Sequence, residues 1–153
     1  MKNRPIVSKP DMEAVIRKCQ SCNIAMVDPE GKPYVIPMNF GYDGDYVYFH
    51  GSAAGRKVDI LRNKTDVCIA FSTDHELRYV NEEVACSWSM RYRSVLVHGQ
   101  AEFVEEYEEK VDCLNIIMAH YAERKFEYNE PSIREVMVFK VKADKMEGRV
   151  YGY

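Results

Sequence analysis

The chain is predicted to fold as an α+β protein, a small antiparallel barrel of six or seven strands flanked by two or three helices. Three observations predict it. Short apolar or alternating stretches recur between turn residues, one such stretch over residues 84–103 is far longer than an ordinary strand, and no more than three segments carry helical spacing.

Taken in order, Asp11 opens a short amphipathic helix over residues 11–19, with a capping acid and apolar residues at helical intervals. Residues 24–27 read as a strand, Asp28-Pro-Glu-Gly31 as a turn, and residues 34–40 as the antiparallel partner. Pro37 has no amide proton, so this strand is expected at an edge or locally irregular there. Asp43, Gly44 and Asp45 then turn the chain into an alternating strand over residues 46–50.

A helix over residues 56–62 follows, and residues 67–71 are apolar without a break, as in a strand buried on both faces. Residues 74–83 are polar and are predicted to loop out. Along residues 84–103, Trp88, Tyr92, Ser94 and Leu96 share one parity, and Arg91, Arg93, Val95 and Val97 share the other. A strand this long is expected to bend at a bulge and serve two parts of a sheet. Val111, Leu114, Ile117, Met118 and Tyr121 form a helical stripe within residues 105–124, behind an acidic first turn. Residues 137–141 and 145–153 are the last strands. Without repeats, low-complexity tracts or a linker, residues 1–153 are expected to form one domain.

Composition narrows the function classes. With 153 residues, 46% hydrophobic and 29% charged, the chain is an ordinary globular sequence with one core. A net charge of −3 and the lack of a Lys/Arg run argue against a nucleic-acid partner. No segment reads as a membrane span, and the polar start lacks the apolar centre of a signal peptide, so a cytoplasmic location is expected. Five cysteines, an odd number placed mostly in apolar segments, fit reduced buried thiols. Cys19-x-x-Cys22 reads either as a redox dithiol or as a helix end followed by a strand start. For zinc it lacks a second ligand pair. His75 is expected to be solvated, His98 to point outward from a strand, and His120 to lie near a helix C-terminus; none of the four histidines has metal-ligand spacing. Gly-x-Ser-x-Gly and Gly-x-Gly-x-x-Gly are both missing, against a hydrolase and a Rossmann site.

The segment Tyr46-Val-Tyr-Phe-His-Gly-Ser-Ala-Ala-Gly-Arg-Lys-Val-Asp59 carries the chemistry. An alternating strand runs into a turn of small residues and then into two adjacent cations. Small residues let a backbone approach an anion, amides at a helix start donate to it, and Arg and Lys neutralise it. Alone, the same pattern also fits a strand, a turn and a helix whose cations are merely solvated.

Set beside Gly31-Lys-Pro-Tyr-Val-Ile-Pro-Met-Asn-Phe40, Tyr48-Phe-His-Gly-Ser52, Gly55-Arg-Lys-Val-Asp59 and Tyr92-Arg-Ser-Val-Leu-Val-His-Gly99, it makes the chain resemble a known family. This is the pyridoxamine 5′-phosphate oxidase-like, FMN-binding split-barrel superfamily, and within it the 5-nitroimidazole-resistance-type branch. The resemblance runs from Cys22 to Val141. It implies a split barrel holding FMN, or FAD, with Pro37, Met38, Asn39 and Phe40 along the flavin ring. It places Phe49, His50, Gly51 and Ser52 near the ribityl chain and phosphate, and makes Arg56 and Lys57 the phosphate pair. Arg93 and Ser94 stand where the oxidase branch has an arginine and a glutamine that reach the flavin; Ser94 is the shorter side chain. His50 matches a histidine on the substrate side of the pocket and is the candidate catalytic group.

The resemblance further implies a homodimer with two cofactor sites at the subunit boundary, and a small-molecule substrate such as a nitro-aromatic. Trp88 then serves either that interface or the barrel core. The closing Gly148-Arg-Val-Tyr-Gly-Tyr153 lacks the arginine-and-histidine motif of true pyridoxamine phosphate oxidases, so that substrate is not expected. A flavin-binding sensor or carrier and a haem-associated relative are the alternatives the resemblance leaves open.

Overall fold

Two ends of one antiparallel sheet meet without pairing, and everything that positions the candidate site follows from how the chain arrives there. The structure, a computed structural model, describes residues 3–153; the first two residues of the polar start lie outside them. The described residues form nine strands and four α-helices.

β1 (Asn3–Ile6) runs antiparallel to β9 (Lys145–Tyr151), and α1 (Lys9–Lys18) follows it. Asp11 is not the cap of α1. Ser8 caps it, accepting from the Asp11 amide at 3.3 Å, with Pro10 in the first turn, where a missing amide costs nothing. β2 (Cys22–Val27) and β3 (Pro33–Met38) form the expected hairpin, whose turn is held by Asp28 Oδ1 accepting from the amides of Glu30 and Lys32. β3 pairs with β2 alone, so Pro37 does sit on an edge strand.

β4 (Gly41–Tyr42) and β5 (Tyr46–Gly51) precede α2 (Arg56–Asn63). β6 (Asp66–Arg78) is 13 residues long and runs on through part of the segment expected to loop out. Its polar end is held by ladder pairing to β7 (Ser89–Val104) rather than by burial, past a bulge between Thr73 and Glu76. Residues 84–88, expected in strand, instead form a short 3₁₀ turn around Ala85–Ser87. Trp88 belongs to this connection and not to the core: its ring stacks on Tyr79 and its Nε1 donates to the Glu82 carbonyl.

β7 serves two parts of the sheet, as its length predicts. Its first portion pairs with β6 and β9, and its last four residues pair with β8 (Met137–Lys142). α3 (Tyr107–Tyr121) is capped by the Glu106 carboxylate, which accepts from the amides of Glu108 and Glu109. α4 (Glu130–Glu135) is too short to leave a periodic signal. The nine strands and four helices exceed the expected numbers by β1, β4 and α4.

The strand order is β3-β2-β6-β7-β8-β5-β4, with β9 joined to β7. β3 and β4 end that order, so the barrel stays split between them. Phe40, Phe49, Phe71 and Phe139 fill the interior with Ile24, Ile69, Val95 and Val97, all fully buried. Each such side chain contributes about 1.5–3 kcal/mol by leaving water. On β6 only Val67, Ile69 and Phe71 face this core, while Cys68 and Ala70 are half-exposed on the outer face. The expected burial of that strand on both faces is therefore only half realised. All five cysteines are free, and no helix among the described residues is long and apolar enough to cross a membrane.

Candidate functional site

The seam between β3 and β5 opens into a pocket of about 410 Å³ lined by Ser21, Ile36, Pro37, Met38, Asn39, His50 and Lys57. Its two walls come from opposite ends of the sheet. β3 supplies Ile36, Pro37 and Met38 along its unpaired edge, where backbone amides and carbonyls have no strand partner. β5 supplies His50, beyond the two residues that β4 pairs.

Lys57 reaches the pocket because Gly51 has no side chain. A Cβ at Gly51 would lie 3.2 Å from Lys57 Cε and 3.3 Å from its Nζ, so the lysine runs directly over that backbone. Gly55 starts α2 with φ +127°, a conformation that side chains resist, and no side chain caps the helix behind it. Neither Arg56 nor Lys57 has a carboxylate partner among the described residues; Arg56 lies over the Tyr34 ring, 4.3 Å from its centroid. The combination of an uncapped helix start and two unneutralised cations suits an anion.

His50 is half-buried and pairs across the ladder with Val138. Burial lowers its pKa, so the imidazole is neutral in neutral water, with one nitrogen able to donate and the other to accept. Ser52 shapes the turn, its Oγ accepting from the Ala54 amide. Phe40 and Phe49 are fully buried, so their side chains serve the core.

Arg93 and Ser94 are not brought to this pocket in the chain. Arg93 lines a second cleft, of about 440 Å³, where it pairs with Asp74 at 2.8 Å and lies over the Tyr153 ring. Ser94 faces Ser72 and Arg149 across the ladders of β6 and β9.

Ser21 is a pocket residue that no motif marks, and Ile36, although inside the motif over residues 31–40, is not among the residues expected at the ring. The cysteines flanking Ser21 are buried, with Cys19 Sγ donating to the carbonyls of Val15 and Ser72 and Cys22 Sγ to that of Met38. Burial pushes the Cys22 thiol up to about 12, which keeps it protonated and unreactive and favours the helix-end reading of Cys19-x-x-Cys22 over a redox pair. His75 bonds Ser72 at 2.6 Å, His98 faces Glu147, and His120 bonds the Cys19 carbonyl. Among the described residues no group of His, Cys, Asp or Glu could hold a metal ion.

A split antiparallel barrel whose unpaired edge strand faces Lys57 across an open pocket, with Arg56 beside it over Tyr34 and outside the pocket lining, is the arrangement that the site presents. Comparison with known proteins gives that arrangement its class. A family model described as pyridoxamine 5′-phosphate oxidase matches residues 8–150. A candidate 5-nitroimidazole antibiotic resistance protein from Bacteroides thetaiotaomicron is 42% identical, with a TM-score of 0.88 over 97% of this chain and 87% of that one. The chain belongs to the pyridoxamine 5′-phosphate oxidase-like split-barrel family, in its 5-nitroimidazole-resistance-type branch.

Two more distant structures share the fold alone. One is a flavocytochrome from Azotobacter vinelandii, 23% identical with a TM-score of 0.83, over 99% of this chain and 70% of that one. The other is an FAD and heme binding protein from Mycobacterium smegmatis, 17% identical with a TM-score of 0.84, over 100% of this chain and 75% of that one. No curated protein matches the chain.

Proposed function

We propose that the chain binds FMN in the seam and acts as a flavin-dependent oxidoreductase on a small acceptor such as a nitro-aromatic. The observation that carries this reading is the pair Arg56 and Lys57, unneutralised at the uncapped start of α2, with Lys57 laid across Gly51. FAD carries the same ring and would use the same wall. The fit is one of donor chemistry. Arg56 can fork over two phosphate oxygens while Lys57 acts as a point charge, and the free edge at Pro37, Met38 and Asn39 can read the ring's alternating donors and acceptors through backbone alone. Names among similar structures, a flavocytochrome and a resistance protein, lie on the same side of the argument.

When bound, the flavin would supply two-electron transfer from a reduced nicotinamide or another donor to the acceptor. The chain's own part is placement and proton control. Neutral His50 can donate a proton to an oxygen of the acceptor or hold an anion in the pocket.

A homodimer completes the reading. Ala25, Cys68, Ala70 and Leu96 are half-buried in adjacent ladder positions on the outer sheet face, a small apolar surface suited to a second copy, which would bring its Arg93 and Ser94 toward the seam.

The purified protein tests the assignment. Absorbance at the flavin bands is expected, and flavin reduced under anaerobic conditions is expected to be reoxidised rapidly by a nitro compound. A Soret band would move the chain to the haem-associated relatives. In the Arg56→Ala, Lys57→Ala double variant, loss of phosphate neutralisation is expected to release the FMN; wild-type occupancy there refutes the site.

A further inference from the structure

The last turn of α3 holds the floor of the seam from behind. Gly41 in β4 lies so close to this helix that a Cβ there would sit 2.7 Å from the Ile117 Cα and backbone nitrogen, so helix and strand are keyed backbone to backbone. One turn further on, the helix reaches the segment that precedes β2. His120 Nε2 lies 2.6 Å from the Cys19 carbonyl oxygen and, facing an acceptor, carries the proton. Its ring rests against Phe40, with 4.4 Å between centroids. The Tyr121 hydroxyl donates to the Gln20 carbonyl at 2.7 Å and accepts from the Phe40 amide at 3.1 Å.

One oxygen therefore joins two segments that the sheet does not. The β2–β3 ladder ends at the pair Cys22 and Met38, and past it the two strands continue as Gln20 and Ser21 on one side and Asn39 and Phe40 on the other. Ser21, Met38 and Asn39 all line the pocket. We propose that Tyr121, with His120 beside it, is a positioning residue that sets the gap between Ser21 and the edge formed by Met38 and Asn39, and so the shape of the pocket floor. Its expression in cofactor affinity rests on the flavin reading above; its effect on the floor does not.

Tyr121→Phe removes only the bridging oxygen. Titration with FMN, followed by flavin fluorescence, is expected to give a dissociation constant about tenfold weaker than wild type, equivalent to about 1.4 kcal/mol. Two control variants are expected to bind FMN as wild type does. Tyr128→Phe removes a hydroxyl bonded to Asn115 of the same helix, and Ile133→Val trims the apolar cluster on the helix's other side. Wild-type affinity in Tyr121→Phe overturns the proposal, as does an equal loss in an Ile133→Val protein of matched melting temperature, because that loss would be one of stability alone. If the wild-type chain takes up no FMN, the flavin reading falls by itself. Hydrogen exchange at the Asn39 and Phe40 amides then decides for Tyr121: faster exchange in Tyr121→Phe supports the tie, and unchanged exchange removes it.

Discussion

Lys57 owes its place to a neighbour that has no side chain, and this makes the site sensitive to the smallest of substitutions. In Gly51→Ala the new methyl crowds the end of a flexible lysine, which can swing away, and touches Met137 Cε at an ordinary 3.7 Å, so stability should change by less than about 0.5 kcal/mol. The ammonium would leave the pocket with it, and a lost charge-assisted hydrogen bond of roughly 1.5–3 kcal/mol should weaken FMN binding about tenfold or more, as read by fluorescence titration. His50 carries a pH signature of its own. Burial depresses its pKa in the folded chain, so on acidification the unfolded chain takes up the proton first. Its contribution is present above the unfolded value of about 6.5 and is lost as pH falls through the lower folded value. Urea unfolding of wild type should therefore show stability declining below about pH 6.5, and His50→Gln should flatten that decline. The residue types of this site were legible in the sequence, since glycine, serine and paired cations after a strand are an anion's chemistry. The pairing of Arg93 with Asp74 was not, because it depends on a bulge that throws Asp74 to φ 55° beneath the arginine.

Among the elements, α3 shows how backbone proximity replaces side-chain packing. Gly41→Ala would drive a methyl into the helix backbone at Ile116 and Ile117, where neither partner can rotate away. Overpacking of this kind costs about 1–3 kcal/mol, measurable as a lower urea midpoint, and should also disturb the floor that Tyr121 ties. The helix itself was legible from its apolar stripe, and β7 from its length. Other elements were not, each for a physical reason. β1 is formed by Asn3, Arg4, Pro5 and Ile6, a mostly exposed set that reveals itself only through its ladder with β9. The polar end of β6 looks like loop because a hairpin arm in water needs no apolar alternation once its backbone is paired.

The whole molecule presents an outer sheet face on which Ala25, Cys68, Ala70 and Leu96 are half-exposed. Leu96→Asp would place a carboxylate on that face without entering the core. If a second copy covers the face, size-exclusion chromatography should report a shift from dimer to monomer, accompanied by loss of bound FMN; an unchanged dimer would sink this arrangement. Much of this architecture was visible in advance from the order of strands and turns, but the place where the sheet fails to close was not, since it depends on which strands finally pair. That order of pairing matters for a growing chain. β3 and β5 are near neighbours in sequence, yet β5 joins β7 and the remainder of the sheet only through β8. During synthesis both walls of the seam are made early, and they are joined through the main sheet only once residues 137–142 emerge. The seam is thus framed only once β8 is in place, and a chain interrupted before β8 would carry every residue that lines the pocket but not the sheet that sets its two walls against each other.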